Sequence, residues 1–288
     1  MPQVIRQIDP LRAAVGRQRA AGRRIGLVPT MGALHEGHLS LIRAARAECD
    51  VVIATVFVNP TQFAPGEDFD QYPRTLEEDL AALDGEGVAI AFVPPADEVY
   101  RPNHGTWVVP EGVAEPLEGE HRPGHFRGVA TVVLKLLNMA QPDVAYFGQK
   151  DFQQAAVIRR MVEQLDVPVA IRVCPIVREP DGLAMSSRNR YLDADARRRA
   201  LGLAAALRAA ETLVAGGETD ASSVAARMRE VILDTEPRHV PVAIDYVALR
   251  DPETLERVER IDRPVVALIA ARVAETRLID NAIVQPQG

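Results

Sequence analysis

The sequence is poor in cysteine and in long apolar runs, and each shortage excludes a class of protein. Cys49 and Cys174 are the only cysteines among 288 residues, too few and too distant for a disulfide framework or a cysteine zinc site. No apolar run approaches the roughly 20 residues that span a bilayer, and residues 1–10 lack the apolar core of a signal peptide. We therefore expect an unexported, cytoplasmic protein without membrane contact.

The charge balance and the missing motifs narrow the function further. The net charge is -7, so there is no global basic footprint for nucleic acid, and none is expected as a partner. The chain has no Gly-x-x-x-x-Gly-Lys phosphate loop and no Gly-x-Gly-x-x-Gly dinucleotide turn, which disfavours a P-loop ATPase and a Rossmann dehydrogenase. A Gly-x-Ser-x-Gly elbow is missing as well, which disfavours a serine hydrolase.

Residues 29–38, Pro-Thr-Met-Gly-Ala-Leu-His-Glu-Gly-His, are the most informative stretch. They follow a short apolar run that reads as a buried strand and precede an apolar pattern of helical spacing. In α/β folds this junction binds nucleotides, because a helix N-terminus offers N–H groups and a positive dipole end to an anion. His35 and His38 share one face of the first helical turn. A metal pair is disfavoured, since no nearby cysteine or carboxylate completes a tetrahedral set.

Further apolar runs alternate with helical patterns along residues 1–176. Continuous rather than alternating apolarity predicts parallel strands covered on both faces. Polar residues follow several strands: Asn59 and Gln62 follow the second, and Gly148-Gln149-Lys150-Asp151 follows the fourth. The latter junction resembles a phosphate site or an ordinary capped loop equally well on local chemistry. The predicted fold is a Rossmann-like, doubly wound α/β sheet. The predicted elements are strands 25–28, 51–58, 88–93, 144–147 and 169–174, helices 11–22 and 128–139, a helix opened by a Thr75–Glu78 capping box, and an irregular segment 96–127.

Residues 177–288 are expected to form a smaller C-terminal α+β lid domain, with helices over 194–216 and 220–233 and strands near 244–249, 264–271 and 277–284. This domain carries Met185-Ser186-Ser187-Arg188-Asn189 near its start. The hydroxyls and the guanidinium of this segment suit phosphate oxygens, although its composition alone favours a polar linker.

Four segments carry a family resemblance. The His-x-Gly-His element is similar to the signature of class I aminoacyl-tRNA synthetase-like nucleotidylyltransferases, and Met-Ser-Ser-Arg-Asn resembles the second signature of that superfamily without its usual lysines. The longer string over residues 29–41, with residues 57–63, 147–154 and 185–191, resembles the pantothenate synthetases, which are pantoate–β-alanine ligases.

The resemblance implies an ATP-dependent condensation through pantoyl adenylate that releases AMP and pyrophosphate, with Mg²⁺ on the phosphates and a homodimeric enzyme. The substrates would be pantoate and β-alanine. By the same resemblance, His38, His35, Lys150 and Arg188 are candidate catalytic residues, and Gln62, Gln154, Asn59 and Tyr72 surround pantoate and β-alanine, with no metal ligand assigned to the protein. The implied ATP-binding residues are Met31, Gly32, His35, His38, Gly148, Gln149, Lys150, Asp151, Val177, Met185, Ser186, Ser187 and Arg188.

Two alternatives remain at this point. One is a nucleotidylyltransferase that leaves a nucleotidyl group on another small substrate, and the other is a nucleotide-binding regulator without chemistry. Gln62 and Gln154, two amides suited to a hydroxy acid, favour the ligase. The regulator predicts binding without turnover.

Overall fold

The computed structural model describes residues 1–64 and 66–286, and the chain divides into two compact units. The first comprises Met1–Gln149 and Gln153–Pro175, and the second comprises Lys150–Phe152 and Ile176–Gly288. Within the described residues, no helix is long and apolar enough to span a membrane.

The first unit is built on a six-stranded, fully parallel sheet of order β1-β4-β3-β2-β5-β6. Every residue of β2 and β3 is buried, and Thr55 is the one polar residue in these two strands. Such burial is typical of parallel strands that helices cover on both faces. The strands are β1 (Gln3–Ile5), β2 (Ile25–Val28), β3 (Val51–Thr55), β4 (Ile90–Phe92), β5 (Val144–Gly148) and β6 (Ala170–Cys174). The helices are α1 (Ile8–Ala20), α2 (Glu36–Glu48), α3 (Leu76–Gly85), α4 (Ala96–Val99), α5 (Glu118–His121), α6 (His125–Ala140) and α7 (Phe152–Gln164).

The strand order explains why the motifs meet. β2 pairs with β3 on one side and with β5 on the other, so the chain winds in opposite directions from β2. The carboxyl end of β2 is therefore the topological switch point at which such sheets bind ligands. The segment of residues 29–38 leaves the sheet at this point, and the turn that carries Gln62 leaves it after the neighbouring strand β3.

The second unit contains two long helices and a small antiparallel sheet. The elements are α8 (Ala194–Ala215), α9 (Ala221–Asp234), β7 (Val242–Arg250), β8 (Val265–Val273) and β9 (Thr276–Val284). The sheet has the order β7-β8-β9. β8 is buried at every position except Arg272, and the two helices share one apolar cluster with the sheet. The predicted fold class, a doubly wound parallel sheet followed by a smaller α+β region, is confirmed.

Several local predictions were wrong. β1 was not predicted, because only three residues pair at the edge of the sheet. The predicted capping box at Thr75 is not formed, since the Thr75 side chain makes no cap hydrogen bond and lies 3.4 Å from an Asp79 oxygen instead. The predicted irregular segment 96–127 contains the short helices α4 and α5. α6 begins at His125 rather than at Gly128.

Candidate active site

The loop between β2 and α2 has a strained backbone that a buried carboxylate holds. Gly32 and Ala33 have φ values of +82° and +50°, a region that glycine adopts without cost but alanine does not. Asp79, on α3 and only 2% exposed, accepts hydrogen bonds from the backbone N–H groups of Ala33 (3.0 Å) and Leu34 (2.8 Å). A Cβ at position 32 would lie 2.9 Å from an Asp79 oxygen. Asp79 therefore fixes the path of the chain into His35.

His35 and His38 lie together at the start of α2. His35 is the N-cap, and its Nδ1 accepts a hydrogen bond from the Gly37 N–H at 3.1 Å. The Nδ1 of His38 accepts one from the His35 N–H at 3.4 Å, and the ring centroids are 4.1 Å apart. Because each Nδ1 is an acceptor, each neutral ring carries its proton on Nε2. The first turn of α2 thus carries two imidazole N–H donors close to the positive end of the helix dipole.

Asn59 organises the turn after β3. This side chain is only 1% exposed. Its Oδ1 accepts hydrogen bonds from the hydroxyls of Thr61 (2.9 Å) and Tyr100 (2.8 Å). Its Nδ2 donates to Gln62 Oε1 at 3.0 Å and to the Gly128 carbonyl at 3.3 Å. Both ends of the Asn59 amide are engaged by protein groups, and one of these groups is the Gln62 side chain.

Gln62 lies next to Met31, although 31 residues separate them in the chain. The Gln62 Nε2 donates to the Met31 thioether sulfur at 3.2 Å. Its backbone carbonyl accepts hydrogen bonds from the first turn of α6 and from Arg122. The fold therefore brings together two predicted site residues from the ends of adjacent strands.

The other two predicted substrate residues differ in environment. Tyr72 is buried, and its ring contacts Phe63 edge to face at a centroid distance of 6.0 Å. Gln154 is half-buried on α7. Its neighbour Gln153 is buried and bonds the backbone of residues 113, 116 and 118. Adjacent glutamines thus have different roles, and the buried one holds a loop.

In the second unit, the predicted phosphate residues lie in two segments. The Met185 N–H donates to the Val177 carbonyl at 3.0 Å, which brings these two residues together. Ser186 is the N-cap of a short 3₁₀ helix, Ser187–Tyr191, and its hydroxyl accepts a hydrogen bond from the Arg188 N–H at 3.2 Å. The Lys150 carbonyl accepts a hydrogen bond from Asn281 Nδ2 at 2.9 Å. Three predicted residues remain. Gly148 is the last residue of β5 and Gln149 follows it in the first unit, and Asp151 belongs to the second unit.

Sequence reasoning missed the residues that hold these segments in place. Asp79 holds the histidine loop from 45 residues away. The buried Asn189 donates to Glu179 Oε1 at 2.6 Å and to the Ala184 carbonyl at 3.0 Å. Arg178 forms a bidentate ion pair with the buried Asp280 at 2.7 and 3.0 Å. No local pattern marks Asp79 or Arg178, because their partners lie 45 and 102 residues away, whereas Asn189 bonds a carbonyl only five residues before it.

The chain is similar to known proteins over nearly its whole length. The family model described as Pantoate-beta-alanine ligase matches residues 3–283. A pantothenate synthetase of Acidobacterium capsulatum is 56% identical over 261 residues, which cover 91% of this chain and 86% of the relative. A pantothenate synthetase of Roseiflexus castenholzii is 53% identical over 98% of this chain and 99% of the relative.

Solved structures give the same result. The pantothenate synthetase of Thermus thermophilus has a TM-score of 0.92 at 43% identity and covers 99% of this chain and 100% of its own. A pantoate-beta-alanine ligase of Francisella tularensis, solved in complex with beta-gamma ATP and beta-alanine, has a TM-score of 0.79 at 31% identity and covers 98% of both chains.

Proposed function

This chain belongs to the pantoate–β-alanine ligase family, and from that premise we propose how its residues divide the work of the reaction. The reaction is the ATP-dependent condensation of pantoate with β-alanine to pantothenate. The observation that carries the assignment of roles is the pair of imidazole N–H donors at the start of α2, in a loop that a buried carboxylate holds.

The proposed route has two steps. A pantoate carboxylate oxygen attacks the α-phosphorus of ATP, a P–O bond breaks, and pyrophosphate leaves with the electron pair. The β-alanine amine then attacks the acyl carbon of the adenylate, AMP leaves, and the nitrogen loses a proton. Both steps require cations and N–H donors placed where negative charge increases on phosphate oxygens.

We assign this charge stabilisation to His35 and His38 in the first unit and to Lys150 and Arg188 in the second. The imidazoles offer oriented N–H donors, and Arg188 offers a fork that fits two phosphate oxygens. Ser186 and Ser187 supply hydroxyls to the same ligand. Met31, Gly32, Gly148, Gln149, Asp151, Val177 and Met185 complete the proposed ATP contacts. The lid role of the second unit stays a prediction.

Pantoate is assigned to Gln62 and Gln154, whose amides can donate to and accept from a hydroxy acid. Asn59 supports Gln62 through its hydrogen bond, and the Tyr72 ring packs against Phe63 beside that turn.

Mg²⁺ is proposed to enter with ATP. No three His, Cys, Asp or Glu side chains of residues 1–64 and 66–286 are grouped so that they could hold a metal ion. Mg²⁺ prefers phosphates and water to an all-protein cage, and we therefore place it on the phosphates of ATP. A homodimer in the cytoplasm is proposed on the family resemblance alone, and sedimentation of the purified protein tests the dimer.

Product analysis tests the proposed route. Purified protein is incubated with ATP, Mg²⁺, pantoate and β-alanine, and each component is omitted in turn. We expect pantothenate, AMP and pyrophosphate, together with pyrophosphate exchange into ATP that needs pantoate but not β-alanine. Formation of ADP and phosphate would exclude the adenylate, and a stable nucleotidylated product would indicate a nucleotidylyltransferase.

A further inference from the structure

A buried imidazole beside Gln62 has no part in the assignments above. His125, the first residue of α6, is 9% exposed. Its Nδ1 lies 2.9 Å from the Gln62 carbonyl oxygen, and its Nε2 lies 3.1 Å from Arg122 Nη1. The ring therefore bridges the turn that carries Gln62 and a guanidinium.

The partners of this ring determine its protonation. A guanidinium can only donate, so His125 Nε2 is the acceptor, and the proton of the neutral ring is on Nδ1. Nδ1–H then donates to the Gln62 carbonyl. Burial, reinforced by the charge of Arg122, lowers the pKa of His125 to about 4, although Glu118 and Glu67 act in the opposite direction. At neutral pH the ring is thus a fixed donor to Gln62.

Arg122 is in turn fixed by a carboxylate. Its Nε and Nη2 donate to the two oxygens of Glu67 at 2.7 and 2.8 Å, a bidentate geometry that restricts the guanidinium plane. Burial opposes the ionisation of Glu67, but the hydrogen bonds and charge of Arg122 hold its pKa below the usual value. Arg122 Nη2 also lies 3.4 Å from the Gln62 carbonyl.

Backbone packing gives an independent indication that the position of Gln62 is tightly defined. A Cβ at Gly128, one turn along α6 from His125, would lie 2.3 Å from the Thr61 carbonyl oxygen and 2.8 Å from Gln62 Cα. The backbones of α6 and of the turn at residues 61–62 are therefore in close contact. The Gln62 carbonyl that His125 bonds has little freedom to move.

We propose that His125 is a positioning residue for the acid substrate: its Nδ1–H, oriented by Arg122 and Glu67, holds the Gln62 carbonyl and thereby aims the Gln62 amide at pantoate. The inference rests on the proposed function, in which Gln62 binds pantoate. It predicts that changes at His125 affect the use of pantoate and leave the use of ATP nearly unchanged.

Steady-state kinetics of two His125 variants test the proposal. His125→Phe keeps a ring and removes both nitrogens, and we expect the KM for pantoate to rise roughly tenfold, the value of one buried hydrogen bond. His125→Asn keeps an N–H close to the Nδ1 position, so its KM should stay within about threefold of the original chain. The KM for ATP should be unchanged in both variants.

Two further variants keep the test decisive. Glu67→Gln weakens the support of Arg122 and should raise the KM for pantoate even if His125→Phe fails to fold. Arg172→Gln is the matched control, because Arg172 forms a similar bidentate ion pair with Glu48 but does not contact Gln62. This control should keep both KM values.

The outcomes separate this inference from the proposed function. If Gln62→Ala raises the KM for pantoate while His125→Phe and Glu67→Gln leave it unchanged, the positioning role is wrong and the pantoate site remains. Equal impairment in His125→Phe and His125→Asn would also overturn the role of the Nδ1 donor. If the unaltered chain does not consume pantoate, the proposed function itself fails.

Discussion

Replacement of Asp79 by asparagine should loosen the loop that leads into His35. The carboxylate accepts two backbone N–H bonds, from Ala33 and Leu34. Asparagine offers only one oxygen, so its NH₂ group must face one of these donors. A buried hydrogen bond to a charged group contributes about 1.5–3 kcal/mol, which corresponds to a roughly 10- to 150-fold change in a local opening equilibrium.

Native-state hydrogen exchange measures this change directly at the two amides. We expect the Ala33 or Leu34 amide of Asp79→Asn to exchange about 10 to 150 times faster, since one of them loses its acceptor. The KM for ATP should rise in the same variant, because the backbone that leads into His35 and His38 is no longer held in one conformation. Pyrophosphate exchange as a function of ATP concentration measures this effect.

Asp50→Asn is a matched control for the same substitution. Asp50 is exposed and accepts a single backbone N–H bond, from Arg24, at 2.8 Å, so its loss should leave the Ala33 and Leu34 amides and the KM for ATP unchanged. Unaltered exchange of both amides in Asp79→Asn would refute the argument that the carboxylate holds this loop. A rise in the KM for ATP without faster exchange would show that Asp79 acts by another route.

Three further predictions follow from the described geometry. His38→Ala should slow adenylate formation by roughly two to three orders of magnitude, as the loss of one preorganised donor does; near-normal single-turnover pyrophosphate release would exclude this role. Gly128→Ala should destabilise the fold by about 1–3 kcal/mol through overpacking and raise the KM for pantoate, whereas Gly16→Ala, which has no atom within 4 Å of the new Cβ, should do neither. Because the pKa of His125 falls from 6.5 in the unfolded chain to about 4 in the fold, the unfolded chain binds the extra proton between these values. The free energy of unfolding should therefore fall as the pH is lowered through this window, by up to about 3 kcal/mol, and equal pH slopes for His125→Asn and the original chain in urea titrations would contradict this.

The sequence was sufficient for the sheet because the interior strands are short, continuous apolar runs. The predicted strand at residues 25–28 agrees with the observed strand β2, and five of the six parallel strands were predicted. The edge strand β1 has the burial pattern of two exposed residues and one buried residue. Three residues with one buried side chain do not form a periodic signal, so this strand was not predictable.

The part of the candidate site that was predictable consists of residues close together in the sequence. The spacing of His35 and His38 predicted one shared face, and the rings lie 4.1 Å apart. The support of that site depends on distant partners: Asp79 and Leu34 are 45 residues apart, and Gln62 and His125 are 63 residues apart. The predicted capping box at Thr75 was wrong for a related reason. The Thr75 hydroxyl bonds Asp79, the same residue that holds the distant histidine loop, and a local pattern does not show this.

The sulfur contact of Gln62 has a consequence for selectivity. A thioether is a weak acceptor, and one of the two N–H groups of the Gln62 amide donates to Met31 Sδ at 3.2 Å. A ligand oxygen that takes the place of this sulfur exchanges a poor acceptor for a good one. An apolar ligand of the same shape makes no such exchange and leaves the weak bond as it was. On the proposed role of Gln62 in pantoate binding, discrimination between polar and apolar ligands depends on the difference in acceptor strength between a ligand oxygen and the Met31 sulfur.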